Sequence, residues 1–245
     1  MPTDLASDVR IDTDTWLSTM LRKQVFRVTA ATEGDLSLIA AHVTQHDDTM
    51  YWTKVAGTLD AAQRWQSLGF RCVNQQVTLA AKTCPTKSMT NHDVQVSQPT
   101  VNQHADVMRI AESCFHLSRF HVDENIPTAT AHQIKREWTE NCLLGKRGDR
   151  VFVACCGDEV CGFLTSIIVW QDHRSVAVID LIGVDQDARG CGIGSALTQA
   201  FVNHYADKCD EYHVGTQADN QASLRLYEKF GFETVEKSQV FHLHT

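Results

Sequence analysis

The 245-residue sequence has no apolar run long enough to cross a bilayer and no secretory signal pattern at its start. Its first stretch, MPTDLASDVRIDTDTW, is polar and acidic. A surplus of positive charge is missing as well, because the formal net charge is -8. These absences argue against a general binder of nucleic acids or membrane surfaces, although a local basic patch remains open. We expect a cytoplasmic protein with neither kind of partner.

Metal-binding cysteine patterns are also absent. None of the nine cysteines forms a CxxC pair, and no zinc-ligand spacing is found, so we expect reduced thiols and no metal. The one tight histidine pair, His242 and His244, fits one face of a strand better than a metal site. What is present is ordinary for a globular protein, with 43% hydrophobic and 21% charged residues. The length allows one large domain or two small ones.

Two segments of the chain, 59–81 and 220–244, echo each other. With Gly69-Phe70 placed over Gly231-Phe232, each segment shows a helical period, then Gly-Phe, then an alternating strand pattern. Glycine just past a helix takes the left-handed conformation without strain. Such self-similarity predicts two related units, and chance recurrence of helix–glycine–strand units is the alternative.

The first unit differs from the second where chemistry is expected. It has no glycine-rich loop, and it carries Trp65 and Thr58 where the second has Tyr227 and Asn220. We therefore predict that the first unit is a degenerate, structural domain and that the second is the functional one. The predicted parts are a first domain over 1–100, a second domain over 101–245, and a polar linker or domain start over 83–104.

The second unit predicts a hairpin, a strand and a helix in succession. Two apolar runs within 149–170 flank a turn signal at Gly157, which is typical of a hairpin. Residues 175–184 are mostly β-branched and apolar and predict a buried strand, which Asp180 interrupts. The stretch ARGCGIG follows, and from Ser195 the apolar residues fall on one helical face. Three glycines therefore lie where a strand gives way to a helix.

This glycine-rich stretch predicts a phosphate or diphosphate site. A helix N-terminus exposes unpaired N–H groups and the positive end of the helix dipole, and glycines let a ligand approach closely. The spacing of Gly190, Gly192 and Gly194 does not match the dinucleotide pattern GxGxxG, and the P-loop pattern is absent. An Arg-x-x-Gly-x-Gly pattern beginning at Arg189 does fit, and a plain glycine-rich turn is the alternative.

The last predicted helix carries a second set of residues. HVGTQADN, residues 213–220, predicts a strand and a loop, and Asn220 is a good N-cap for the helix. Tyr227 follows about two turns later on nearly the same face, and Gly231 ends the helix.

Together these residues resemble the GNAT superfamily of acetyl-CoA-dependent N-acetyltransferases. The carriers are Arg189-x-x-Gly192-x-Gly194 and Asn220-x-x-Ser223-x-x-x-Tyr227-x-x-x-Gly231-Phe232. The resemblance covers roughly 149–245. It implies an α/β fold, with a mixed twisted sheet and helices on both faces, and acetyl-CoA as co-substrate.

The resemblance also implies where the coenzyme binds. Its diphosphate would sit on the N–H groups of 189–195, its pantetheine would pair like an extra strand with 182–184, and Tyr227 would lie near the thioester sulfur. The residues implied to bind it are Ile182, Gly183, Val184, Arg189, Gly190, Cys191, Gly192, Ile193, Gly194, Ser195, Asn220 and Leu226.

A looser resemblance covers nearly the whole chain. "DTDTWLS", "LGF", "CFHLSRFHVDENIP" and "EWTENCLLGK", in that order before the second unit, are similar to the TDP-fucosamine acetyltransferase (WecD-like) group. This implies N-acetylation of nucleotide-linked 4-amino-4,6-dideoxy sugars for surface polysaccharides. One departure stands at Trp16, Leu17 and Ser18, where an aromatic pair and a glycine are expected, and it puts the sugar in doubt.

Acetyl transfer assigns roles to particular residues. A backbone N–H from 182–184 would polarise the thioester carbonyl, and Tyr227 would protonate the leaving thiolate. The base is left open: Asp180 acting through water, with an ion pair as its alternative, or His121 or His116. Arg119, with His121 beside it, is a candidate for binding the phosphate of the substrate, and a structural arginine is the alternative. Direct transfer needs no cysteine nucleophile.

Other functions stay open beside this one. In one variant of the same activity, the acceptor is an amine of another kind, such as an amino acid, polyamine or antibiotic. A non-catalytic acyl-CoA-binding module and an acyl-CoA hydrolase are rivals of a different class. The assembly is open as well, with a homodimer as one option.

Overall fold

The computed structural model describes residues 9–29, 35–82 and 94–245, which form one mixed ten-stranded sheet with helices on both faces. The strands follow one another across the sheet in the order β1-β2-β3-β10-β4-β9-β8-β7-β6-β5. Their bounds are β1 Arg10–Thr13, β2 Gln24–Thr29, β3 Thr49–Ala56, β4 Arg71–Ala81, β5 Val94–Ser97, β6 Arg150–Cys156, β7 Glu159–Gln171, β8 Arg174–Val184, β9 Glu211–Gln217 and β10 Glu233–His244. The helices are α1 Thr15–Leu21, α2 Asp35–Val43, α3 Leu59–Ser67, α4 His104–Cys114, α5 Thr128–Leu143, α6 Ile193–Tyr205 and α7 Gln221–Lys229.

The elements predicted for the second unit are confirmed. β6 and β7 form the hairpin about Gly157, β8 is the following strand, and α6 begins directly after the glycine-rich stretch. Asn220 caps α7 through its side chain. The mixed sheet with helices on both faces matches the expected α/β class. Part of the predicted linker, 83–93, lies outside the described residues, and β5 pairs with β6.

The echo between the two units is visible in the backbone. Thr58 caps α3 as Asn220 caps α7, each through a side-chain oxygen. Gly69 and Gly231 follow these helices at φ of +87° and +76°, the left-handed region that glycine adopts without a Cβ clash. Each helix is therefore ended in the same way and followed by a long strand.

The two units exchange those long strands. β10, at the end of the second unit, lies between β3 and β4, whereas β4 of the first unit pairs with β9 of the second. Gln76 pairs with Ser238, and each stands seven positions after the glycine of its own unit. The exchange is therefore close to two-fold symmetric, and it makes one continuous sheet. The division into domains at residue 100 stays a prediction.

The helices form two layers. One sheet face, called here the α6 face, carries α2, α3, α6 and α7 over the apolar side chains of both units. The opposite face, called the α5 face, carries α1, α4 and α5. Phe241 and Val77 face the first layer, and Met50 and Leu181 face the second. Burial on both sides explains why the central strands are rich in apolar residues.

Two observations bear on the expected environment of the chain. In the described residues, no helix combines the length and the apolar character that crossing a bilayer requires. All eight cysteines in that part of the chain are free thiols.

A buried hydrogen-bond network joins the segment between α4 and α5 to the end of β10. Asp123 Oδ2 accepts from His242 Nδ1 at 2.6 Å and from His244 Nε2 at 2.8 Å. The other ring nitrogens lie 3.4 Å from Arg119 and 3.1 Å from Lys23. Burial lowers the pKa of His242 to about 4, and the two imidazole donors help to lower the pKa of Asp123.

This network predicts that the protein loses stability on mild acidification. Because the folded-state pKa of His242 lies below its usual 6.5, the unfolded chain binds more protons between pH 6.5 and 4, and stability falls across that window. The loss from this residue is about 3 kcal/mol. Urea titrations at several pH values measure it. His242→Asn should flatten the pH dependence, exposed His173→Gln should not, and equal slopes in all three proteins would contradict the assignment.

Candidate active site

A gap opens in the sheet between β8 and β9. The two strands pair in parallel only from Val176 and Glu211 to Ile179 and Val214. Beyond that point β9 continues to pair with β4, while residues 181–184 of β8 pair with β7 and have no strand on their other side among the described residues. Residues 182–184 therefore lie on a free strand edge, the kind of edge with which an extended ligand pairs, and their binding role stays a prediction.

A β-bulge marks the start of the gap. Thr165 and Ser166 pair with Leu181 and Ile179, which leaves Asp180 as the extra residue of β8. Bulges redirect side chains and backbone groups and are common beside active sites. Asp180, the one acid in this strand, therefore marks a change in backbone geometry as well as in polarity.

The glycine-rich stretch forms a bare helix N-terminus beside this gap. Gly190 and Gly192 have φ of +83° and +82°, and a Cβ built on either would meet no atom within 4 Å. The first intrahelical bond of α6 runs from Ala196 N–H to the Gly192 carbonyl, at 3.0 Å. The N–H groups of 192–195 precede that bond and point out of the helix, as an anion site requires. Arg189 and Cys191 are exposed here.

The remaining residues implied to bind the coenzyme line the same gap or pack behind it. Gly183 lies so close to α4 that an added Cβ would stand 2.6 Å from Cys114 Sγ. Ile182 and Val184 are partly buried against the core of the α6 face. Leu226 of α7 lies 3.2 Å from the position of a Cβ added to Gly194, so the first turn of α6 packs against the second half of α7. Their coenzyme-binding roles stay predictions.

Tyr227 lies in the core of the α6 face. It is 1% exposed, and burial raises the pKa of its phenol above the usual value. Phe232 is its ring neighbour, at 5.9 Å between centroids. Its hydroxyl makes no hydrogen bond to any residue in the described ranges. The ordinary alternative, a core tyrosine whose hydroxyl is hydrogen-bonded to the protein, therefore does not describe Tyr227.

Asp180 forms the ion pair that was the alternative to catalysis. Its carboxylate accepts from Arg147 Nε and an Arg147 terminal nitrogen, at 2.9 and 2.8 Å, and from Trp138 Nε1 at 2.8 Å. Three donors occupy most of its lone pairs, so its role as a base would require this arrangement to open. That role stays a prediction, and the structure supplies a separate reason for the buried acid.

Arg119 and His121 lie on the α5 face, in the segment between α4 and α5. The Arg119 guanidinium lies 4.0 Å from the centroid of the Trp52 ring, and burial lowers its pKa to about 10. His121 Nδ1 lies 2.6 Å from Ser118 Oγ, and its Nε2 is buried without a partner. Burial lowers the pKa of His121 to about 4, so the ring is neutral near pH 7.

The Asp123, His242 and His244 side chains place potential metal-ligand atoms within 4.8 Å of one another. A metal-bound histidine normally donates its second N–H to an acceptor. Here those second nitrogens face Arg119 and Lys23, which are donors with positive charge. The donor set therefore suits the hydrogen-bonded network better than a cation, and the expectation of no metal stays a prediction.

Sequence reasoning missed a cluster of cations and rings on α5. Lys135 is 7% exposed and lies against Phe115, Phe120 and Trp138. Burial lowers its pKa to about 8. The spacing of Lys135 and Trp138, one helical turn apart, was a local signal, but the rings from the preceding segment are brought in only by the fold.

Comparison with known proteins identifies the class that this fold and site define. The model of the acetyltransferase (GNAT) family matches residues 105–232, which is more than half of the chain. The chain therefore belongs to that family. A GCN5-related N-acetyltransferase from Sphaerobacter thermophilus has the same fold, with a TM-score of 0.58, 13% identity, and coverage of 90% of this chain and 72% of the other.

Among curated relatives, the spore coat polysaccharide biosynthesis protein SpsD of Bacillus subtilis (strain 168) is 27% identical over 138 residues. That match covers 56% of this chain and 46% of the relative. Mycothiol acetyltransferase of Saccharomonospora viridis is 39% identical over 64 residues, covering 26% of this chain and 21% of the relative. The matches thus span less than half of each relative.

The bare loop makes a prediction about coenzyme affinity. Gly192→Val places a side chain at a left-handed position and over the N–H groups, so acetyl-CoA binding should weaken about tenfold or more in calorimetry. Gly157→Val is the matched control, because Gly157 also has a positive φ and open space, but lies in the β6–β7 turn. It should cost stability and leave affinity unchanged. Undiminished affinity in the Gly192 variant would remove the loop from the site.

Proposed function

We propose that the protein transfers the acetyl group of acetyl-CoA to a primary amine. The observation that carries this is the conjunction of a free β8 edge with a bare helix N-terminus at its end. The first suits a pantetheine arm and the second a diphosphate. Membership of the acetyltransferase family supports the same reading.

The favoured acceptor is the 4-amino group of a nucleotide-linked (dTDP) 4-amino-4,6-dideoxy sugar. Support comes from the loose resemblance to the TDP-fucosamine acetyltransferases and from the similarity to SpsD, whose name places it in polysaccharide biosynthesis. The similarity to mycothiol acetyltransferases favours a second candidate, another small amine as acceptor.

In the proposed reaction the amine nitrogen bonds to the thioester carbon, and the carbon–sulfur bond then breaks. A backbone N–H at the free edge of β8, within 182–184, stabilises the oxyanion that forms between these steps. The Tyr227 phenol gives its proton to the leaving thiolate. Since burial raises its pKa, the phenol carries that proton throughout the neutral range.

The proton lost by the amine needs an acceptor of its own. His121 is a candidate for this base because it is neutral, its Nδ1 is oriented by Ser118, and its Nε2 has no partner. Asp180 is the other, and would act through water once Arg147 is displaced.

Removal of the Tyr227 hydroxyl tests the mechanism. Tyr227→Phe leaves the ring in place and breaks no hydrogen bond to a described residue, so the fold and acetyl-CoA binding should persist. Turnover, followed as thiol release with a panel of amines, should fall about 100-fold. Unchanged turnover would refute the proton-donor role. Amine-independent thiol release would indicate hydrolysis, and binding without release would indicate a non-catalytic module.

A further inference from the structure

Lys135 is a buried cation with no hydrogen-bond partner in the described part of the chain. It is 7% exposed, although lysine is seldom buried unless it is paired. Its ammonium lies 4.8 Å from the Phe115 ring centroid, 5.1 Å from that of Trp138 and 5.9 Å from that of Phe120. Ring faces stabilise a positive charge by about 0.5–2 kcal/mol each, but they do not replace hydrogen-bond acceptors for its three N–H groups.

Arg119 is a second cation that packs against the Phe120 ring. Its guanidinium lies 4.5 Å from that ring centroid and 4.0 Å from that of Trp52. The guanidinium has five N–H donors. One of them makes a hydrogen bond to a described residue, His242, whose Nε2 lies 3.4 Å away. Burial lowers the pKa of Lys135 most, and the nearby positive charge of Arg119 lowers it further.

The nearby acids do not supply the missing acceptors. Asp180 is held by Arg147 and Trp138, and Asp123 by two imidazoles. The third acid, Asp14, caps α1 through Oδ1 and accepts from Trp52 Nε1 through Oδ2. All three acids are therefore engaged with other donors, while Lys135 and Arg119 keep unused ones.

The position of this pair relates it to the gap. Trp138, against which Lys135 packs, donates to Asp180 at the β8 bulge where the gap begins. Phe115, its other near ring, follows Cys114, which packs on Gly183. The pair thus lies on the α5 face beside the free edge of β8, on the side opposite Tyr227 and α7.

We propose that Lys135 and Arg119 bind an anionic group, a phosphate or a carboxylate, of the acetyl acceptor. The assignment rests on the proposed acetyl transfer and names the class of acceptor: an amine that carries negative charge. Charge-assisted hydrogen bonds to such a group would use the idle donors and compensate the buried charge. A nucleotide-linked sugar has a diphosphate and an amino acid has a carboxylate, and the experiment separates the two sources.

The test uses the full chain saturated with coenzyme A, so that the glycine-rich loop is already filled. Calorimetric titrations follow with thymidine diphosphate, thymidine and L-alanine as probes. Lys135→Met should weaken binding of at least one anionic probe about 10- to 100-fold, the effect of losing a charged hydrogen bond. Thymidine should bind more weakly than its diphosphate if phosphate is the recognised group. If Lys135→Met loses affinity for L-alanine but not for thymidine diphosphate, the site is assigned to a carboxylate.

The variant is expected to fold, because methionine is close to lysine in length and its thioether packs well on aromatic rings. Lys208→Met, at an exposed lysine in the turn that follows α6, is the matched control and should bind every probe as the parent does. Arg119→Met should weaken the same probe as Lys135→Met does.

Equal affinity of parent and Lys135→Met for both anions, or binding of neither by the parent, would overturn the proposal. The initial coenzyme A titration keeps this outcome separate from the proposed function. If the coenzyme A titration releases no heat, both the proposed acetyl transfer and the acceptor site are refuted. If the protein binds the coenzyme and releases thiol only with an amine, but neither property depends on Lys135, only the acceptor site is refuted.

Discussion

The pairing of β4 with β10 is the constraint on which the rest of the molecule depends. Because β10 lies beside β3, the second unit has no later strand of its own to hold β9, and β4 of the first unit takes that place. β9 is thereby fixed on one edge while β8 diverges from it on the other. The strand that borders the gap opposite β8 is therefore held in place by a strand of the first unit.

Two different kinds of chemistry flank the sheet around this gap. The side toward α6 offers backbone N–H groups at a helix N-terminus bared by glycine, which suit an anion and do not titrate. The α5 face offers side chains instead: Lys135 and Arg119, which pack on its aromatic rings, and the imidazole of His121, which is neutral near pH 7. A coenzyme that many relatives share suits the first kind of site, and an acceptor that differs between them suits the second.

This contrast explains how much could be predicted from the sequence. The glycine pattern, the Asn220 cap and the two Gly-Phe pairs are local signals, since each fixes backbone geometry within a few residues, and the elements around them were predicted correctly. The strand exchange could not be predicted, because β4 and β10 have similar alternation and a strand pattern does not specify its partner. The surroundings of Asp180 and Lys135 were missed for the same reason: Trp138 and Arg147 reach Asp180 only through the fold.

The first unit was expected to be structural, and its contacts show that a structural role need not be a passive one. Trp52 of β3 carries the Arg119 guanidinium on its ring, and Asp14 holds Trp52 in place through its indole N–H. The His242 ring that touches Arg119 belongs to β10, which the exchange has placed beside β3. A unit without a glycine-rich loop therefore orients one of the two cations beside the gap. Changes in the first unit are expected to alter acceptor choice while the coenzyme loop stays intact, since β10, β4 and β9 separate β3 from β8 in the sheet.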